Sequence, residues 1–230
     1  MVSGARSSPA LNSGSMQMAA VIRASALALC FTQTFSLMGI AFVPTARGTP
    51  RRPEITVRVF NYAGIPSDAI ARAEREVIRI FSTTGIQAHW LNCPLSPATA
   101  LNTPICPGSW RWTDLLLRLI PLATADRSIN SLGFSLPSSE GGVVAVIFYD
   151  RIEELTKAGV AGAGQILGYA VVHEVGHLLL GSTIHSPAGI MSSPWSREDV
   201  KLARLLFTRQ QARAIRGEVI RRMQLPPRAE

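Results

Sequence analysis

The stretch HEVGHLLLGSTIHSPAGIM, residues 173–191, contains three of the four histidines in this 230-residue chain. His173 and His177 are four residues apart, which is about one turn of an α-helix. Side chains at this spacing lie on the same face of a helix as neighbours. Gly181 then allows the chain to leave the helix sharply, and His185 follows. The pattern predicts three imidazoles that meet where the helix ends.

The residues around this motif predict that its helix is buried. QILGYAVV (165–172) precedes the first histidine and LLLG (178–181) follows the second, and both segments are largely apolar. We expect the helix to run from about residue 165 to residue 180. Polar side chains in apolar surroundings are costly unless they have partners. The two histidines on this helix therefore need a partner.

Glu174 gives the pattern a chemical interpretation. Two imidazoles one turn apart can provide two ligands of one tetrahedral Zn²⁺, and Glu174 can face the open side of the metal without binding it. In such a site zinc lowers the pKa of a water molecule to about 7, and the glutamate acts as general base. We predict one catalytic Zn²⁺ bound by His173, His177 and His185. The alternative is a helix whose histidines are hydrogen-bonded core residues.

The segment resembles the metzincin clan of zinc endopeptidases, and most of all its matrixin-type motif. That motif is His-Glu-x-x-His-x-x-Gly-x-x-His followed by serine and then by a tight methionine-containing turn. The order of the preceding elements is also similar, so the resemblance extends loosely over residues 54–223. It implies these roles: zinc ligands His173, His177 and His185, general base Glu174, Ser186 after the third ligand, and Met191 as the floor under the metal.

The sequence departs from the family pattern in two ways. The glycine and the third histidine follow His177 after four and eight residues, at Gly181 and His185, whereas the family intervals are three and six. Because the segment has two extra residues, His185 must reach the metal through a longer loop. No tyrosine follows Met191, although Trp195 lies nearby, so the residue that stabilises the transition state is left unassigned.

A second candidate for the third ligand comes from the gluzincin type of site, which takes a carboxylate from a later helix. Glu198 lies 21 residues past His177, and Asp199 follows it. Both carboxylates also suit the first turn of a helix, where they interact favourably with the helix dipole. Glu198 is therefore an alternative to His185.

The first part of the predicted domain has the pattern of a strand, a helix and a second strand. Apolar and polar residues alternate in EITVRVFNY (54–62), whereas IPSDAIARAEREVIRIFSTTG (65–85) has apolar residues at steps of three and four. IQAHWLN (86–92) is the second strand. A unit of this length implies parallel pairing of the two strands with a right-handed crossover.

Three further strands are expected before the histidine helix. DLLLRLIPL (114–122) is one, and GFSLP (133–137) is a short edge strand because a proline ends it. GGVVAVIFYD (141–150) is a continuous apolar run rich in β-branched residues, which suits a buried strand.

Two helical stretches close the chain, at 195–207 and 207–223. In the second, Thr208 and Gln211 have the spacing of a capping box. The elements together predict an α+β fold with an α/β-like N-terminal part. Its twisted mixed sheet has about five strands and is accompanied by a backing helix, an active-site helix and a C-terminal helix. The resemblance implies a zincin-like, metzincin-like arrangement of these elements.

The N-terminal region predicts export. An apolar run at 24–43 follows Arg23, and small residues precede a cleavage point after Ala46. The run is long enough for an uncleaved membrane anchor, which is the alternative. We expect a secreted or periplasmic protein with this organisation: signal peptide 1–46, linker 47–53 and catalytic domain 54–230.

Export also determines how the three cysteines are interpreted. Cys30 lies inside the predicted signal, which leaves Cys93 and Cys106 as a pair. In an oxidising compartment this pair predicts one disulfide, which would contribute about 3 kcal/mol in the chain-entropy model. The two cysteines lack the Cys-x-x-Cys spacing of zinc sites. The remaining histidine, His89, is expected to pack in a strand or to form a surface hydrogen bond.

Composition is consistent with a folded globular protein and gives no indication of nucleic-acid binding. Hydrophobic residues make up 47% of the chain and charged residues 17%. The net charge is +8, but the basic residues are scattered and show no recognition motif or basic-aromatic interleaving. We predict an exported, monomeric zinc metalloendopeptidase that binds peptide or protein substrates along the edge strand near residues 133–136. A zinc-stabilised binding protein without turnover is the alternative function.

Overall fold

The computed structural model describes residues 51–95, 106, 109–122, 131–138 and 142–226. The predicted signal peptide or anchor, Cys30 and most of the predicted linker lie outside these residues, as does most of the loop between the two paired cysteines. The domain boundaries drawn from the sequence therefore stay predictions.

The described residues contain one five-stranded mixed sheet. Its strand order is β2-β1-β3-β5-β4, and β1 pairs in parallel with both β2 and β3. β3 also pairs in parallel with β5, whereas β4 lies antiparallel to β5 at the edge of the sheet. The strands are β1 (Glu54–Asn61), β2 (Gln87–Asn92), β3 (Asp114–Ile120), β4 (Gly133–Ser135) and β5 (Val144–Phe148).

Five helices complete the described fold, and the α+β class predicted from the sequence is confirmed. The backing helix lies between β1 and β2, the histidine helix follows the sheet, and the C-terminal helix closes the chain. The helices are α1 (Ser67–Thr83), α2 (Tyr149–Lys157), α3 (Ala163–Leu180), α4 (Arg197–Lys201) and α5 (Arg209–Met223). Within the part of the chain that is described, no helix combines the length and apolarity needed to span a bilayer.

The core lies between the sheet and the helices. Alternate residues of β1 and β3 point to the same face, because successive side chains of a strand project to opposite sides. That face carries Ile55, Val57 and Val59 from β1 and three leucines from β3, all of them buried. The helix α1 covers the same core with a buried stripe at the predicted spacing: Ile70, Ala73, Val77, Ile80 and Phe81.

Two glycines bring α3 close to α1. A Cβ atom at Gly164 would lie 2.6 Å from the backbone oxygen of Ala69, and one at Gly168 would lie 2.6 Å from the Cβ of Glu76. Neither position has room for a side chain, so the two helix backbones approach each other closely. Fifteen of the eighteen residues of α3 are buried, which confirms the sequence-based expectation. This packing fixes the helix that carries the histidines.

The opposite face of the sheet contains the predicted disulfide. Cys93 and Cys106 are bonded to each other, with their Cα atoms 5.0 Å apart, and they pack against Phe60. On the same face Arg58 forms a buried ion pair with Asp114, with 2.7 Å between Nη2 and Oδ2. These contacts lie away from the histidine helix.

One helix, α2, was not predicted from the sequence, and another, α4, is shorter than predicted. The predicted strand 141–150 ends at Phe148, and α2 begins at the next residue, because the apolar run gives way to YDRIEELTK, of which only Ile152 is buried. The predicted helix in 195–207 ends at Lys201. Beyond it Ala203 has a φ of 53°, and Leu205 and Phe207 insert into the core from irregular backbone.

Candidate metal centre

The histidine-bearing part of α3 is buried, and the helix ends as the sequence predicts. His173 and Glu174 are each 7% exposed and His177 is 5% exposed. The helix stops at Leu180, and Gly181 has the left-handed backbone conformation, with φ of 63°. This conformation is easy for glycine and costly for other residues. The chain consequently turns back toward the helix in the segment that carries His185.

Three imidazole nitrogens converge at this turn. The Nε2 atom of His173 lies 3.1 Å from that of His177 and 3.2 Å from that of His185. Tetrahedral zinc with Zn–N distances of about 2.0–2.1 Å requires ligand nitrogens about 3.3–3.4 Å apart. The observed separations are close to this value, so the longer loop does bring His185 to the pair.

The hydrogen bonds of the first two histidines fix their protonation pattern. Nδ1 of His173 lies 2.8 Å from the carbonyl oxygen of Ile190, and Nδ1 of His177 lies 2.7 Å from that of Ser182. A carbonyl oxygen only accepts, so each Nδ1 carries the proton and each Nε2 presents a lone pair. Two lone pairs directed at each other across 3.1 Å repel unless a cation lies between them. The donor set therefore fits a divalent metal ion.

Burial keeps these imidazoles neutral. It lowers the pKa of His173 to about 4, against a smaller opposing effect of the hydrogen bond to Ile190. Burial also lowers the pKa of His177, and the neighbouring His185 adds to the effect. Neutral imidazole is the form that binds metal ions.

Glu174 is a buried carboxylic acid whose pKa is shifted toward neutral pH. Burial raises the pKa of its carboxyl group to about 7, although a hydrogen bond from the Ser135 hydroxyl acts in the opposite direction. Ser135 is the last residue of the edge strand β4. An acid-base catalyst is most effective when its pKa lies near the working pH.

A tight turn after the third histidine packs under α3. Ile190 and Met191 are almost fully buried, and the backbone N–H of Ser186 donates to the Met191 carbonyl at 2.9 Å. Gly176, which lies between the two helix histidines, contacts Met191 so closely that an added Cβ would be 2.5 Å from the sulfur. The structure thus places Met191 against the histidine helix, while its role under a metal stays a prediction.

This contact predicts that Gly176→Ala destabilises the protein relative to an unobstructed helix position. The new methyl group would also lie 3.0 Å from Phe207. Met191 is buried, so its side chain cannot move out toward solvent to make room. Overpacking of this kind costs about 1–3 kcal/mol. Gly217→Ala on α5 is the matched control, because its Cβ meets nothing within 4 Å, and it should gain about 1 kcal/mol. Urea unfolding of both variants measures the difference, and equal stabilisation by the two would contradict the predicted contact.

The other candidate ligands lie elsewhere. Glu198 is an exposed residue in the first turn of α4, 3.6 Å from Arg204. Asp199 accepts a hydrogen bond from the Ser196 hydroxyl at the start of the same helix. His89 lies on β2, 3.7 Å from Glu54. Among the residues that the structure describes, His173, His177 and His185 form the group that could hold a metal.

Solved structures similar to this chain include two peptidases. One is a zinc-dependent peptidase from Methanocorpusculum labreanum strain Z, with 13% identity, a TM-score of 0.49, and coverage of 69% of this chain and 99% of that chain. The other is an archaemetzincin from Methanopyrus kandleri, with 17% identity, a TM-score of 0.48, and coverage of 74% and 98%. No protein-family model and no curated protein matches the chain. At these values the similarities assign no function to this chain.

Proposed function

We propose that this protein is an exported zinc-dependent metalloendopeptidase of the metzincin type. The single observation that carries the proposal is the convergence of three histidine Nε2 atoms, 3.1 and 3.2 Å apart, at the end of a buried helix. The outward hydrogen bonds of the two helix histidines support it, because they leave the converging nitrogens as acceptors. His173, His177 and His185 would hold the ion. Zn²⁺ bound there would act as a Lewis acid on the scissile carbonyl and lower the pKa of the attacking water.

Glu174 carries the proton transfers in this proposal. Its carboxylate accepts a proton as the water oxygen bonds to the carbonyl carbon, and it returns the proton to the amine nitrogen as the C–N bond breaks. Burial disfavours the charged form of this carboxylate, so it accepts a proton more readily than an exposed glutamate does. The hydrogen bond from Ser135 would orient the carboxylate.

The edge strand β4 is the proposed place for the substrate chain. β4 pairs with β5 on one side and carries Ser135, which links it to Glu174. An extended peptide can add to an exposed sheet edge through main-chain hydrogen bonds. Leu136, which follows the strand, is exposed and could contact a substrate side chain. The partners proposed for this protein are therefore peptides or proteins, and it would act as a monomer without nucleic acid.

The proposed export has two supports. The apolar run 24–43 and the small residues before Ala46 suit a cleaved signal peptide. The Cys93–Cys106 disulfide suits an oxidising compartment, since such bonds are rare in the cytosol. N-terminal sequencing of protein recovered outside the cytoplasm tests this point: a first residue of Arg47 is expected, and a retained 24–43 segment would indicate an anchor instead.

The test of the function combines metal analysis with a peptide digest. Purified protein should contain one zinc ion per chain and should cleave a general peptide library. Cleavage should stop when a chelator removes the zinc and return when zinc is added back. Protein that binds no zinc would refute the proposal, and so would chelator-resistant cleavage.

A zinc-stabilised binding protein is the second candidate. It is favoured by the lack of a tyrosine after Met191 and by the burial of Tyr169, whose hydroxyl accepts a hydrogen bond from Gln165. A buried tyrosine of this kind is not placed to stabilise an oxyanion. Protein that holds one zinc ion but cleaves nothing in the library would support this second function.

A further inference from the structure

Trp195 shares a hydrogen-bond acceptor with the first histidine. Its indole Nε1–H donates to the carbonyl oxygen of Ile190 at 3.0 Å. The same oxygen accepts the Nδ1–H of His173 at 2.8 Å. A carbonyl oxygen has two lone pairs, so these two donors use its full capacity. The orientation of one backbone carbonyl is thereby set from two sides.

The ring of Trp195 is also packed against the histidine helix. It lies edge-on to the ring of His173, with 5.6 Å between ring centroids and an interplanar angle of 77°. It makes a similar edge contact with Tyr169, one turn earlier on α3, at 6.1 Å and 81°. Aromatic pairs prefer such edge-to-face arrangements. These contacts hold the indole where its N–H reaches Ile190.

The turn that contains Ile190 connects this carbonyl to the rest of the site. The Ile190 N–H donates to the carbonyl of Leu206 at 2.9 Å, which fixes the turn to the segment before α5. The next carbonyl, that of Met191, accepts from the N–H of Ser186, the neighbour of His185. A rotation of the Ile190 peptide would therefore disturb the ring of His173 directly and the backbone beside His185 through one further peptide unit.

We propose that Trp195 is a positioning residue of the metal centre. Its indole N–H holds the Ile190 carbonyl in the orientation that keeps the proton of His173 on Nδ1 and directs Nε2 toward the other two histidines. Trp195 acts through Ile190 and touches no substrate. The inference rests on the proposed function, because it concerns the affinity of the three histidines for zinc.

The test replaces the donor and keeps an aromatic ring. Trp195→Phe removes the indole N–H, whereas Trp90→Phe is the matched control, since Trp90 donates to the side-chain oxygen of Asn92 on β2 at 2.9 Å. Zinc affinity is measured by competition with a chromophoric chelator, and the Co²⁺-substituted proteins are compared by their d–d absorption. Residues behind metal ligands affect affinity by about 10–100-fold, so Trp195→Phe should bind zinc about tenfold more weakly and alter the cobalt spectrum. Trp90→Phe should change neither by more than about twofold.

Several results would overturn the inference. One is unchanged zinc affinity in Trp195→Phe; another is an equal loss in Trp90→Phe. If Trp195→Phe does not fold, the test is hydrogen exchange of the Trp195 indole N–H in the zinc-loaded wild-type protein. Slow exchange supports the inference. Exchange at the rate of an exposed indole overturns it. A wild-type protein without zinc affinity refutes the proposed function and this inference with it, whereas a zinc-binding wild type with an unaffected Trp195→Phe refutes the inference alone.

Discussion

Replacing Glu174 by glutamine should lower peptide hydrolysis by about 10²–10⁴-fold, the contribution that a general base makes, while zinc binding is kept. The amide has nearly the same shape as the carboxylate, but it cannot accept a proton at neutral pH. Ser135 lowers the pKa of this carboxyl group from a neighbouring position, and its hydroxyl can interact with an amide oxygen as well. The substitution therefore removes the chemistry and leaves the packing.

The measurement is kcat/KM on a fluorogenic peptide together with the zinc content of each protein. Glu153→Gln on α2 is the matched control, because this carboxylate is exposed and forms an ion pair with Lys157, at 3.8 Å. We expect wild-type activity and wild-type zinc content in the control. Hydrolysis by Glu174→Gln at more than about a tenth of the wild-type rate would exclude Glu174 as the general base.

The sequence could predict the fold and the convergence of the helix histidines because both depend on local spacing. Alternating apolar residues in β1 and a stripe at helical spacing in α1 each specify one buried face. His173 and His177 need only a regular helix to lie side by side. Gly181 marks the helix end, since its left-handed conformation there is the one that glycine adopts most easily.

Other parts of the site depend on tertiary contacts that no local pattern contains. The carbonyls of Ile190 and Ser182 accept from the histidines only because the chain folds back after Gly181, and a carbonyl is present at every position of any sequence. Ser135 reaches Glu174 from a strand 39 residues earlier. Spacing alone also left open whether a loop two residues longer than the family pattern could bring His185 to the pair.

His185 is the proposed ligand that local spacing could not place, and His185→Ala should weaken zinc binding by about a hundredfold. The binding free energy of zinc in four-ligand sites is about 10–16 kcal/mol, so each ligand contributes on the order of 3 kcal/mol. His185 is exposed, and its ring meets that of His173 with 5.1 Å between centroids. Its loss should leave the core packed. The metal-free variant should therefore unfold near the urea midpoint of the metal-free wild-type protein.

Two control substitutions compare His185 with other residues that could bind zinc. His89→Ala makes the same substitution on β2, 3.7 Å from Glu54, and should leave zinc affinity unchanged. Glu198→Ala removes the carboxylate that a gluzincin-type site would use; here that carboxylate lies on α4 beside Arg204, and its loss should also have no effect on zinc. If Glu198→Ala lost zinc while His185→Ala kept it, the ion would be held by the helix pair and a carboxylate. Because His173 and His177 would be ligands in both arrangements, the pair His185→Ala and Glu198→Ala distinguishes a metzincin-type centre from a gluzincin-type one.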